Sequence, residues 1–109
     1  EIDLTALEFT ELRTLASEAA GKGPGPESSI LKVKGTEVQQ RLTELTLEAV
    51  NHYGAPYAYG MEATGNGAGI GPDYADFAAE TYFNMRKTSI YGGSNEIQRN
   101  IITKMILGL

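Results

Sequence analysis

The sequence predicts an all-α fold, a helical bundle. Two observations predict it: four stretches carry apolar residues at spacings of three and four, and the connectors between them are rich in Gly and Pro, with no convincing strand anywhere. At 109 residues the chain fits one small domain. At that size about two-thirds of the unfolded surface is buried on folding, so the core is thin.

The first helix opens at Leu4 and runs through Leu7, Leu12, Leu15, Ala16 and Ala19, with Asp3 placed to cap it. Gly21-Lys22-Gly23-Pro24-Gly25-Pro26 ends it, because glycine is entropically costly in a helix and proline lacks the N–H donor. Pro26 suits the first turn of a second helix, and Glu27 complements the positive end of its dipole. The stripe of that helix is Leu31, Val38, Leu42, Leu45 and Ala49, with Gly35 in the one gap, a residue that permits close approach of another helix.

Between Gly54 and Gly71 there are six glycines, Pro56 and no sustained period, which reads as an irregular connector. Its Gly65-Asn66-Gly67-Ala68-Gly69-Ile70-Gly71 run has neither the lysine of a P-loop nor a preceding strand, so a flexible connector outweighs a phosphate cradle. A third helix starts near Pro72 or Asp73 and sets Tyr74, Phe77, Ala78, Thr81, Tyr82 and Met85 on one face. Such a face could stack on a cofactor, but packing against a neighbouring helix is the commoner use. Ser94 caps a fourth helix, in which Ile97, Ile101, Met105 and Leu109 recur every four residues beside Ile102 and Ile106.

Composition narrows the function classes. Nine Lys plus Arg against 14 Asp plus Glu give a net charge of -5, without the basic footprint that nucleic acid requires. The absence of cysteine excludes disulfides, thiolate metal sites and a cysteine nucleophile, and it fits a reducing cytoplasm. His52, the sole histidine, has no partners at ligand spacing, so no metal site is expected. No apolar run reaches the roughly 18 residues of a membrane span.

The segment from Ser89 to Ile102 carries the chemistry. Gly92 and Gly93 directly precede a capped helix start, and glycine lets backbone come close to a ligand. The first N–H groups of the fourth helix, unpaired within it, favour an anionic or strongly hydrogen-bonding group. On these residues alone, an ordinary interhelical turn with Ser94 as N-cap and Glu96 complementing the dipole is the commoner reading.

Tyr91-Gly92-Gly93-Ser94-Asn95-Glu96-Ile97-Gln98-Arg99-Asn100-Ile101-Ile102 resembles the Tyr-x-Gly-Thr/Ser-x-Glu/Gln-Ile-Gln-Arg-x-Ile-Ile signature near the C-terminus of acyl-CoA dehydrogenases. The similarity extends back through Lys22 to Lys32 and Lys34-Gly35-Thr36-Glu37, and forward to Ile106-Leu107-Gly108-Leu109. Within the family it looks closest to the large-subunit type of pimeloyl-CoA dehydrogenase, on Asp3-Leu4-Thr5-Ala6-Leu7-Glu8 and Tyr82-Phe83-Asn84-Met85-Arg86-Lys87.

The resemblance implies a larger parent with an N-terminal helical domain, a middle β domain and a C-terminal four-helix bundle. Residues 1–109 would be most of that bundle. It implies α,β-dehydrogenation of an acyl-CoA, with FAD as cofactor and an electron-transfer flavoprotein-like acceptor. It also implies assembly as a homo- or hetero-oligomer, an inactive isolated chain that does not retain FAD, and a cytoplasmic setting. Carried over by position, Ser94, Asn95 and Glu96 fall where the family contacts FAD, and Gly93 where backbone lies beside the thioester. A flavin oxidase or nitroalkane oxidase of the same superfamily stays open.

Two departures limit the carry-over. Gly92 stands where many relatives have the catalytic glutamate, so no catalytic residue is assigned here. Other members hold the base on an earlier helix, which would precede Glu1, and Glu96 is a weaker substitute; Glu62 and Asp73 have no better claim. A non-catalytic assembly subunit is therefore the alternative. At the end of the second helix, many relatives carry Gln-x-x-Gly-Gly-x-Gly to receive the adenine side of FAD, whereas Glu48, Asn51, His52 and Gly54 stand here. Lys32, Lys34, Arg86 and Lys87 could meet CoA phosphates, although scattered cations are normally just solvated.

Overall fold

A computed structural model describes residues 1–23, 25–56 and 71–109. Among these the fold is all-α. It comprises α1 (Ile2–Ala19), α2 (Glu27–Val50), α3 (Ala78–Met85) and α4 (Asn95–Leu107), with single 3-10 turns at Asn51–Gly54, Asp73–Ala75 and Arg86–Ser89 and no strand. Most of the glycine-rich connector, including Gly65 to Ile70 and Glu62, lies outside the described residues. None of the described helices is long and apolar enough to cross a membrane. Two compact units divide the chain, one formed by Glu1–Val38 with Thr88–Leu109 and the other by Gln39–Lys87.

In the first unit, α1 starts two residues earlier than its leucines suggest. Glu1 is the N-cap, and Asp3 lies inside the first turn, where it complements the helix dipole instead of capping. The partly buried stripe of α1 is Leu7, Thr10, Thr14 and Ser17, and no residue of the helix is fully buried. Leu4, Leu12 and Leu15 are exposed, the last two at 54%. Periodicity identifies residues that share a face but not the face that meets a partner. The hydroxyls of Thr10 and Thr14 are satisfied within α1, bonding the carbonyls of Ala6 and Thr10 at 2.7 and 2.9 Å.

Helix α2 begins after Pro26, whose carbonyl accepts from the N–H groups of Ser29 and Ile30. Proline thus stands just outside the helix, not in its first turn. A Cβ at Gly35 would meet only Leu7 Cδ2, at 3.9 Å. That is ordinary van der Waals contact, so the α1–α2 approach does not require glycine. Val33 is the buried aliphatic residue of this unit, and α4 ends at Gly108 in the left-handed conformation, φ 69°. Leu109 therefore lies beyond the helix.

The second unit has its own small core of Val50, Ala75 and Ala78, with Leu47 against it. Its third helix does not run unbroken from Pro72. Asp73–Ala75 forms a 3-10 turn, and Phe77, at φ -105° and ψ 4°, precedes the α-helix proper. A 3-10 turn advances three residues per turn and shifts the phase of the side chains. The expected aromatic face is split as a result. Alanines 75 and 78 turn inward, while Tyr74 and Phe77 are exposed at 77% and 62%. Tyr82 is partly buried, with the Arg86 guanidinium 4.3 Å from its ring centroid. Arg86 Nη2 donates to the Gln40 carbonyl at 2.9 Å, and Gln40 Nε2 donates back to the Arg86 carbonyl at 3.1 Å. This reciprocal pair ties α2 to the end of α3.

Candidate functional site

The turn from Gly92 to Glu96 lies in the first unit, at the start of α4. Gly92 and Gly93 both have positive φ, 67° and 81°. Two successive left-handed residues suit glycine and little else, since each other L-residue there costs about 1 kcal/mol. The two positions differ in their surroundings. A Cβ at Gly92 would meet nothing within 4 Å, whereas one at Gly93 would lie 2.7 Å from Gln98 Nε2. That amide donates to the Gly92 carbonyl at 3.2 Å, so Gln98 closes the turn from one helical turn downstream.

Ser94, at φ -61° and ψ 157°, is the N-cap. Its carbonyl accepts from Gln98 N–H at 2.9 Å, and its Oγ accepts more weakly from Ile97 N–H at 3.5 Å. The Glu96 carboxylate is held below the usual glutamate range, first by its own backbone N–H and then by the Ser94 hydroxyl, with Arg99 and Lys32 adding smaller attraction. It is fully exposed and ionised, which makes it a poorer proton acceptor than an ordinary carboxylate.

Asn95 points the other way. It is 7% exposed, and its Oδ1 accepts from Lys32 Nζ of α2 at 2.7 Å. Its Nδ2 donates to Thr36 Oγ1 at 3.1 Å. Thr36 has one hydroxyl proton, and the Val33 carbonyl at 2.8 Å takes it in preference to Asn95 Oδ1 at 3.3 Å. The Asn95 side chain is thus committed inward, and what it leaves for a ligand is the backbone N–H at the first helical position, which the helix itself does not pair. Nearby, Glu37 takes Lys34 Nζ at 2.7 Å and Arg99 Nη2 at 3.1 Å on the exposed side of α2 and α4.

The family model for the acyl-CoA dehydrogenase C-terminal domain matches residues 1–107. This chain belongs to that family. It is also 30% identical over 107 residues to acyl-CoA dehydrogenase IpdE1 of Mycobacterium tuberculosis, a match covering 93% of this chain and 24% of that protein. The chain thus spans about a quarter of the length of the curated relative it matches. No solved structure matches it.

Family membership gives meaning to the end of α2, in the second unit. Asn51, at the position where the resemblance leads one to expect glycine, adopts φ 52°. Asparagine is among the non-glycine residues that best tolerate this region. Gly54 persists for a packing reason, since a Cβ there would lie 2.7 Å from Leu47 Cδ1 and 3.0 Å from Val50 Cγ2. His52 lies beside the Tyr53 ring, centroids 4.4 Å apart. Among the described residues, no group of three His, Cys, Asp or Glu side chains gathers to hold a metal.

Of the cations considered for CoA phosphates, Lys32, Lys34 and Arg86 are engaged within their own units, on Asn95, on Glu37, and on Gln40 and Tyr82. Thr36 and Gln98 carried no expected role and Lys32 was named only as a cation for CoA phosphates, yet the three hold the turn. Lys32 and Thr36 are four apart and so share a face of α2. Nothing in that spacing says which helix they meet.

Proposed function

We propose that this chain is the C-terminal helical domain of an FAD-dependent acyl-CoA dehydrogenase acting on acyl-CoA thioesters in the cytoplasm, and that it contributes flavin contacts and an oligomer interface. The observation that carries this reading is the capped glycine turn. Two left-handed glycines with open space at Gly92 lead into a helix start, in a chain of this family. The turn fits a polar, partly anionic planar cofactor, because it offers backbone N–H donors beside open space at Gly92. Asn95 would contribute its backbone N–H, Ser94 the remaining lone pair of its hydroxyl as an acceptor, and Glu96 would lie at the rim. Bound there, FAD supplies the acceptor for the hydride that leaves the β carbon.

The chain's own residues bind and orient. Gly93 would lay backbone beside the thioester. Gly92 takes no proton, and Glu96 is a poor candidate because its donors favour the ionised form. The α proton is therefore assigned to a carboxylate outside these residues. Resemblance at Asp3 to Glu8 and at Tyr82 to Lys87 supports the pimeloyl-CoA large-subunit type within the family. The test is to purify the full-length protein, with any partner subunit and an electron-transfer flavoprotein-like acceptor, and to follow flavin absorbance on adding acyl-CoA. Bleaching is expected, and no flavin in any preparation would overturn the reading.

A second reading, favoured specifically by glycine at position 92, is a non-catalytic assembly subunit of a heteromeric dehydrogenase. Activity gained only on Gly92→Glu supports it; robust activity of the unaltered subunit alone counts against it.

A further inference from the structure

We propose that Lys32 and Thr36, acting through Asn95, are positioning residues that fix the flavin-side turn, and that the Asn95 side chain is a structural bolt and not a cofactor ligand. The inference rests on the proposed flavin role of Gly92 to Glu96 and says how that site is built.

Three observations carry it. Asn95 is the first residue of α4, adjacent to the cap and two residues from Gly93, so any displacement of its side chain moves the turn directly. It is 7% exposed, and each polar atom of its amide has a partner on α2, Lys32 Nζ at 2.7 Å and Thr36 Oγ1 at 3.1 Å. The Lys32 bond is charge-assisted and short, and a buried amide deprived of it must turn toward water or stay unpaired. The chain closes at Val33, whose carbonyl takes the Thr36 proton at 2.8 Å and so leaves the Thr36 lone pairs for Nδ2. On the far side of the turn, Gln98 holds the Gly92 carbonyl at 3.2 Å. The glycine pair, free in φ and ψ by itself, is pinned at both ends, by Gln98 from α4 and by Lys32 and Thr36 from α2. A cofactor that binds through backbone N–H groups needs this, since side-chain rotation cannot compensate for a misplaced main chain.

The experiment uses the full-length protein. Lys32→Met, Lys32→Arg, Thr36→Val, Asn95→Leu and the Lys32→Met/Asn95→Leu double variant are compared with wild type. The readouts are flavin dissociation constant, flavin absorbance band shape, and amide hydrogen exchange of the peptide spanning Tyr91 to Gln98. A bolt predicts about tenfold weaker flavin binding and faster exchange in Lys32→Met, recovery in Lys32→Arg, a smaller effect in Thr36→Val, and a double variant no worse than Asn95→Leu. Thr36→Val is nearly isosteric and keeps the test open should Lys32→Met fail to fold.

Wild-type flavin affinity and exchange in Lys32→Met and Thr36→Val would overturn the inference. So would additive effects in the double variant, because they would place Asn95 on the flavin independently of Lys32. Should wild type hold no flavin, the functional reading fails instead; turn exchange that still responds to Lys32→Met and Thr36→Val then preserves the positional claim, and exchange that does not respond removes it.

Discussion

Helix α2 meets two helices of the first unit in opposite ways. Toward α4 it presents Lys32, Thr36 and Glu37, and each finds a polar partner near the start of that helix. Toward α1 it presents Gly35, where an added Cβ would meet Leu7, while the Thr10 and Thr14 hydroxyls on the same side of α1 are bonded to their own backbone. The contact with α4 is directional and fixes a main-chain position to within a hydrogen bond. The contact with α1 at Gly35 is ordinary van der Waals contact with room for a methyl group. Of the leucines on α1, Leu4, Leu12 and Leu15 face outward and Leu7 meets α2.

The sharpest way to break this contrast is Asn95→Leu. It removes the acceptor of Lys32 and the donor to Thr36 within a buried site, and should cost about 2 kcal/mol in denaturant unfolding. An effect below about 0.5 kcal/mol would show that α4 is not bolted. On the α1 side the expected sign reverses. Gly35→Ala finds Leu7 at 3.9 Å and relieves a helix-interior glycine. It should stabilise the chain by about 0.5–1 kcal/mol; destabilisation would mean that α1 lies closer than described.

Leu12→Gln with Leu15→Gln should change folding stability by less than about 0.5 kcal/mol each, as surface substitutions do. Self-association of the 109-residue chain, expected from these exposed leucines, should fall in sedimentation at high concentration. A strictly monomeric wild type contradicts that expectation. The smallest effect belongs to Glu96. Its folded-state pKa is lowered, so its stabilisation is full above the usual glutamate range and is lost as pH falls through the folded value. Glu96→Gln should flatten acid unfolding in that window, and an unchanged acid limb would show that its own N–H and Ser94 do not hold it.

Four helical segments, the Ser94 cap and the glycine turn were legible in the sequence because each depends on local chemistry: periodicity, a hydroxyl before a helix, consecutive glycines. The outward turn of Leu12 and Leu15 was not, because period does not choose a partner. The break before α3 was also hidden, since Asp73 to Phe77 carry helix-compatible residues and the 3-10 phase shift is set by how Ala75 and Ala78 reach Val50. For the site, Ser94 was readable as a cap. The inward commitment of Asn95 was not, because it needs Lys32 and Thr36, about sixty positions away in sequence.

The open space at Gly92 bears on how a trait is gained or lost. Glutamate replaces glycine by a single-base change in half of the glycine codons. The side chain would enter solvent-accessible room, and the left-handed φ of 67° would cost about 1 kcal/mol. Gain or loss of a carboxylate here therefore meets no steric clash, and the backbone strain at position 92 is what opposes it.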